Sequence, residues 1–384
     1  MTSTGQQRIK RSEAAIANQP VDRPPRYVPA IACDVASEIL GRPAHTGAGS
    51  LHYAEVAAWA DGPQAHAEFE AKHFQDLIDI HRALDVDVIR IPWRWNACPD
   101  KRIDEYTFLF GDPDGEHYVT RYNPDSGDFG VISNQHAHAS PEESRRAELD
   151  RLEAEPFDAA EFGRRSIAGV RQLWEMVGDE FFVIGAGAGI TAGIGAENML
   201  LLALEPDLIR RQVMYQARST VAIGLALVDS PMPAVILGGG DLAGTDGPMY
   251  SPKMFHDVVL PGYVWAIERL NPAGAHYVFR SDGNLWPLMD MLFGSGEGEA
   301  HCPGYGEVDH AATMTMGAIR ERFADLVIWG NVSSATMFHG TPQQVIDECK
   351  QIQDESGGHG YFHGCSNALV KGTPIANVEA LFSV

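Results

Sequence analysis

The chain has 384 residues, 45% of them hydrophobic, and a formal charge of −23 at pH 7. Its apolar content supplies a large buried core, and its length suits one β/α barrel with insertions. The acidic excess, with no basic block, argues against a phosphate backbone or an anionic lipid surface as partner. An anionic small molecule would need a local basic site such as Arg94 or Arg280.

Met1 to Pro25 reads as an amphipathic N-terminal arm, with residues 26–384 forming one barrel domain. The segment up to Arg26 is polar and lacks the apolar core of a secretory signal, and no run is long enough to span a bilayer. Cys33, Cys98, Cys302, Cys349 and Cys365 lack paired spacing. These features are expected of a cytoplasmic protein with reduced thiols.

Tyr27 to Ala32 is a first short apolar run, ending at Cys33-Asp34. Helical periodicity covers Gln64 to Leu84, and Val86 to Trp93 reads as a buried strand. Arg94 to Ser140 is irregular and rich in Asp, Pro and Gly, with a hairpin predicted around Asn123-Pro-Asp-Ser-Gly127. An insertion of this length often serves as a lid. Within it, His136-Ala-His138 has metal-like spacing but reads as exposed loop.

Helices are expected over Pro141 to Leu152, Phe162 to Val177, Ala196 to Val228 and Phe255 to Leu270. Strands are expected at Phe181 to Ile184, Ala234 to Leu237, His276 to Phe279, weakly near Glu299 to Cys302, then Leu326 to Trp329 and Gly360 to His363. Gly187, Gly189 and Ala192 fit a dinucleotide fingerprint in spacing, yet a long helix follows instead of a second strand with an acidic end.

In the last third, each apolar run stops at polar residues, and a helix-like segment follows. The runs end at Ser281-Asp282-Gly283-Asn284, Gly330-Asn331 and Gly364-Cys365-Ser366-Asn367. This repetition, with about eight strands in all, predicts a (β/α)8 TIM-type barrel with a long insertion after the second strand. Strand C-termini form the active face of such a barrel, so Arg280, Asp282, Asn331, Cys365 and Asn367 are expected around one pocket.

Several segments carry a family resemblance in order. They are Gly240-Asp241 through Asp246 and Ser251-Pro252 to Phe255, then Phe279-Arg-Ser-Asp282-Gly-Asn284, then Ile319 to Val332, Gly340-Thr-Pro-Gln-Gln-Val345 and Gly364 to Phe382. They resemble the uroporphyrinogen decarboxylase superfamily over about two thirds of the chain. The resemblance implies a barrel and one of two chemistries, cofactor-free decarboxylation or methyl transfer with a corrinoid.

The decarboxylase pattern has two early arginines, which Val28 to Asp34 lacks, and an Asp after the second strand, where this chain runs into Pro92-Trp93-Arg94. A cation cannot accept the pyrrole N–H bonds that such an Asp accepts. The chain therefore resembles the corrinoid-dependent methyltransferase-like members more closely. Those members that use zinc carry His-x-Cys and a later Cys. Arg280 and Asp282 stand in the first two places, and only Cys365 remains. Zinc is thus left open, with Cys98, His136 or His138 as third-ligand candidates beside Asp282 and Cys365.

Read from the residues alone, Arg280 and Asp282 are two apart and face one side of a strand end. They would orient a substrate or form a structural ion pair. Asp241 would act as a base or bind substrate hydroxyls, and Asp246 or Ser251 would cap the next helix. Cys365 would be a metal ligand, a reactive thiol or a buried core residue. His52-Tyr53 and Trp93-Arg94-Trp95 would line the mouth or simply pack.

The expected activity moves a methyl group between a small methylated compound or carrier and a corrinoid delivered by a separate protein. The catalytic candidates are Asp282, Asp241 and Arg280. Arg94, Trp93, His52, Tyr53, Asn331 and Asn367 are expected to bind substrate, and Cys365 a metal. A decarboxylase or lyase acting on a small carboxylate, and a non-catalytic binding barrel, are the alternatives. A homodimer is compatible with all three.

Overall fold

A computed structural model describes residues 3–135 and 140–384. His136 and His138 lie outside the described residues. The architecture is mixed α/β, built on parallel strands. Strand β1 (Val88–Arg90) is followed by four short strands, β2 (Lys101–Arg102), β3 (Thr107–Gly111), β4 (His117–Tyr122) and β5 (Phe129–Gln135). These four form an antiparallel sheet of their own, in the order β2-β3-β4-β5. Then come β6 (Phe182–Ile184), β7 (Ala186–Ala188), β8 (Val235–Gly239), the two-residue pair β9 (Ala243–Gly244) and β10 (Gly247–Pro248), β11 (His276–Arg280), β12 (Gly304–Gly306), β13 (Val327–Trp329) and β14 (Tyr361–Phe362).

β7, β8, β11, β12, β13 and β14 lie side by side in one parallel sheet, and β1 pairs in parallel with β6. The chain at Arg26 meets both groups. The Tyr27 N–H donates to the His363 carbonyl and the His363 N–H to that of Pro25, while the Asp87 and Val88 N–H groups donate to the Arg26 carbonyl. The expected first strand, Tyr27 to Ala32, is reduced to bridges at Arg26 and Ile31. Pro24, Pro25 and Pro29 withhold the donors a longer ladder needs.

Side chains alternate between two apolar clusters, as a strand's period of two requires. The smaller, inner cluster holds Val88, Phe182, Ile184, Val235, Leu237, Val278, Val327, Trp329 and Phe362. Val183, between Phe182 and Ile184, points the other way. With Ile89, Ile236, Tyr277, Phe279, Ile328 and Tyr361 it joins the larger cluster beneath the helices. Trp329 stacks on Phe362 at 3.5 Å and meets Tyr27 edge-on at 5.2 Å. The helix Ser3–Ile16 covers one end of the inner cluster with Ile9, Ala15 and Ile16.

Four expectations need correction. The weak strand near Glu299 to Cys302 lies at Gly304–Gly306 instead. It lacks an apolar run because its inner positions have no room. A Cβ on Gly304 would sit 2.8 Å from the His276 ring, and one on Gly306 3.2 Å from the Arg280 chain. The helix expected over Ala196 to Val228 breaks at Glu205, where Pro206 starts a second helix. The helix expected over Phe162 to Val177 breaks at Ile167. The helix expected from Phe255 begins as a π-turn, Phe255–Val259, before Leu260–Ala273, whose Pro261 supplies no N–H to the preceding turn. Ser251 caps the short helix before it, with Pro252 at its first position.

Candidate functional site

Parallel strands bring their C-terminal tips together whatever their separation in sequence, and four tips supply the site. Asp241 stands two residues beyond β8, Arg280 ends β11 with Asp282 just after it, Glu307 follows β12, and Asn367 follows β14. A carboxylate oxygen from each of Asp241, Asp282 and Glu307 lies within 4.8 Å of the other two. Arg280 Nη1 donates to Glu307 Oε1 at 2.5 Å, and Asn367 Nδ2 donates to Asp282 Oδ2 at 2.5 Å. Glu307 holds a left-handed φ of 61°. A non-glycine residue in that region costs about 1–3 kcal/mol and persists where the surroundings hold it.

The frame beneath these groups is tied across strands. The Tyr277 hydroxyl donates to the Ala188 carbonyl at 3.2 Å and accepts from the Gly239 N–H at 2.9 Å, which fixes β7, β8 and β11 together. Position 238 must be glycine because a Cβ there would fall 1.9 Å from that hydroxyl. Buried Ser281 accepts from the Leu242 N–H at 3.0 Å and so holds the Asp241 loop against the Asp282 turn.

Burial pushes the Asp282 carboxyl up to about 7, and the Glu307, Asp241 and Asp309 charges add to the rise. Desolvation, then the Glu307 charge, also raises Asp241, while Arg280 opposes the shift. Asp282 is therefore the carboxyl of the cluster that holds its proton furthest toward neutral pH. A carboxyl that titrates near neutrality, with further carboxylates and a guanidinium beside it, can orient a polar substrate and give or take one proton.

The other expected site residues are placed differently. Arg94 is not free to hold an anion. Its Nε and Nη2 both donate to buried Glu55, at 2.9 and 2.5 Å, and its Nη1 to Glu70 at 2.8 Å. Buried Asn331 donates to the Val308 and Met314 carbonyls, both at 3.1 Å, so it shapes the loop after Glu307. Tyr53 stacks on Tyr122 at 4.4 Å, against the insertion sheet. Trp93 is 61% exposed and meets His52 edge-on, with His52 Nε2 donating to its carbonyl at 2.9 Å. Cys365 is fully buried in the cluster beneath the helices, with Sγ 3.7 Å from the Ser334 hydroxyl. Burial pushes its thiol up to about 11.

Sequence reasoning missed Glu307 and Arg90. Glu307 follows a strand of glycines that carries no apolar signal. Arg90 lies two residues after inner Val88, a spacing that could have placed it on the inner face. A cavity of about 440 Å³ lined by Ile9, Ile16, Met232 and His276 lies at the opposite strand ends and contains none of these groups.

Among the described residues, the group able to hold a metal is Asp241, Asp282 and Glu307, three oxygen donors without cysteine or histidine. That set does not match the thiolate-rich zinc of the resembling methyltransferases. Asp282 retains its proton near neutrality, and a guanidinium already occupies Glu307. Both oppose a soft dication. Metal analysis of the purified protein is expected to find sub-stoichiometric zinc, and one zinc per chain surviving chelator dialysis would refute this.

A parallel α/β protein with acid–base groups gathered at its strand C-termini is the class this geometry defines. The family model described as Uroporphyrinogen decarboxylase (URO-D) matches residues 170–384, more than half of the chain. The chain belongs to that family, which implies a TIM barrel. A solved structure described as a methyltransferase from Methanosarcina mazei is similar over 97% of this chain and 96% of that one, with a TM-score of 0.64 and 17% sequence identity. No curated protein matches. No helix among the described residues is long and apolar enough to cross a membrane.

Proposed function

We propose that the chain is a methyltransferase on a (β/α)8 barrel, moving a methyl group between a small methylated compound or carrier and a corrinoid presented at the strand C-termini by a separate protein. The observation that carries this reading is the meeting of Asp241, Arg280, Asp282 and Glu307 at that end. Family membership and the fold shared with a methyltransferase support it. The barrel is supported by the Arg26 segment, which hydrogen-bonds to strands at both ends of the parallel series.

A corrinoid, when bound, supplies the methyl-accepting centre. The chain's own residues do the rest. Asp282 carries a proton to the heteroatom that loses its methyl group, and takes it back in the reverse direction. Asp241 and Glu307 hold the substrate's polar groups, and Arg280 offsets the negative charge that builds on the leaving atom. Asn367 keeps the Asp282 carboxyl aimed by donating to one oxygen. Displacement at a methyl carbon needs an in-line approach, so positioning supplies much of the acceleration.

Cob(I)alamin and methylcobalamin spectra, followed across methylated thiols, amines and phenol ethers, test the reading. Spectral conversion with one donor class is expected. No binding and no methyl exchange in any combination would overturn it. Carbon dioxide release from a small carboxylate without cobalamin would establish the lyase alternative instead.

A further inference from the structure

We propose that Arg90 and Arg280 form a carboxylate-binding site at the floor of the mouth, which takes the acid group of a small monocarboxylate substrate. This rests on reading the strand-end opening as the substrate site and names the class of molecule that enters it.

Val88 and Val278 belong to the inner cluster, so Arg90 and Arg280, each two residues later, emerge on the same inner face at the C-terminal ends. Glycines flank Arg280 at that level. Arg280 is in register with Gly239 on one side and Gly306 on the other. Gly239, at φ +91°, could not carry a Cβ, which would fall 2.2 Å from the Arg280 carbonyl. The layer thus presents two long cations, Arg280 between glycines and Arg90 in register with Ile184.

The two arginines differ in what already engages them. Arg280 has Glu307 on Nη1, while its buried Nε has no partner. Arg90 donates to the Pro29 carbonyl at 3.3 Å. Among the described residues it makes no ion pair, although Arg8, Arg11, Arg23, Arg26 and Arg94 all do. Burial works against the Arg90 cation and the neighbouring Arg280 charge adds to this. Glu307 offsets this only from beyond ion-pair distance, and a buried cation beside another cation with no carboxylate in contact is costly unless an anion completes the site.

The charge of the site selects the ligand. Glu307 balances Arg280, and Asp241 and Asp282 already add negative charge beside them. With carboxyl groups already beside the two guanidiniums, the site suits no more than one added negative charge, and the planar fork of Arg90, which has no ion-pair contact of its own among the described residues, matches a carboxylate. A phosphate dianion would place excess charge against three carboxyl groups.

The test is thermal stabilisation by propionate, benzoate and inorganic phosphate at constant ionic strength, read on the native chain, Arg90→Gln and Arg90→Lys. Saturable stabilisation by a carboxylate is expected for the native chain. Its apparent affinity should fall about tenfold to a hundredfold in Arg90→Gln, the loss of one charge-assisted pair. Arg90→Lys keeps the charge without the fork, should fall between them, and carries the test if Arg90→Gln does not fold. No saturable response to a carboxylate, an equal response in the variants, or a preference for phosphate would overturn the proposal. No corrinoid enters the measurement, so this failure and a failure of methyl transfer are separate results.

Discussion

Replacing Asp282 by Asn should lower kcat/KM about 10²- to 10⁴-fold, the usual contribution of a positioned acid or base. The Asp282 proton persists to about pH 7, and the amide can neither release nor accept that proton. The rate profile adds a second readout. If Asp282 works as the acid, the native rate falls as pH rises through about 7, and this limb vanishes in Asp282→Asn. The same substitution should make the fold more stable in alkaline buffer. A carboxyl raised from 3.8 to about 7 contributes its full share below pH 3.8 and loses it as pH climbs through 7. The amide has no charge to desolvate. A variant with native rates and an unchanged pH profile would remove Asp282 from the chemistry.

Asp87→Ala should cost about 3–5 kcal/mol of stability, the range for breaking a buried charge network by removing one partner. Asp87 has no exposed side-chain surface. Arg11 and Arg23 each reach it at 2.5 Å, and the Arg26 N–H donates to it at 2.7 Å. Without it, the Arg11 and Arg23 guanidiniums lose this shared anion, and the chain at Arg26 loses the contact that sets it beside β1 and β14. Urea unfolding with an unchanged m-value measures the loss. A change below about 1 kcal/mol, the scale of exposed ion pairs, would show that the network contributes little.

Much of the parallel framework was legible because its strands are short apolar runs, rich in Val, Ile and aromatics and closed by glycine or a polar residue. Val88, Phe182, Val235, His276, Val327 and Tyr361 each begin an element within a few residues of its expected place. The hairpin of β4 and β5 was legible from its Asn-Pro-Asp-Ser-Gly turn. β2 and β3, and the helices Cys33–Leu40 and Ala48–Asp61, carried no comparable boundary signal. β12 failed for a steric reason, since Gly304 and Gly306 are what His276 and Arg280 require of a neighbour. The strand-end rule picked out Asp241, Arg280, Asp282 and Asn367. It said nothing of which cations were already spoken for. That depends on Glu55 and Glu70, both distant from Arg94 in sequence, which leave Arg94 no free fork for an anion.

Only Ile91, Pro92 and Trp93 separate Arg90 from Arg94. One arginine reaches toward the opening, while the other is clamped by the helices Ala48–Asp61 and Pro63–Ala83. This short tether makes the helix clamp and the acid grip parts of one lever. A substitution at Glu70, remote from any reacting atom, would be felt as a shift in how the incoming molecule is seated.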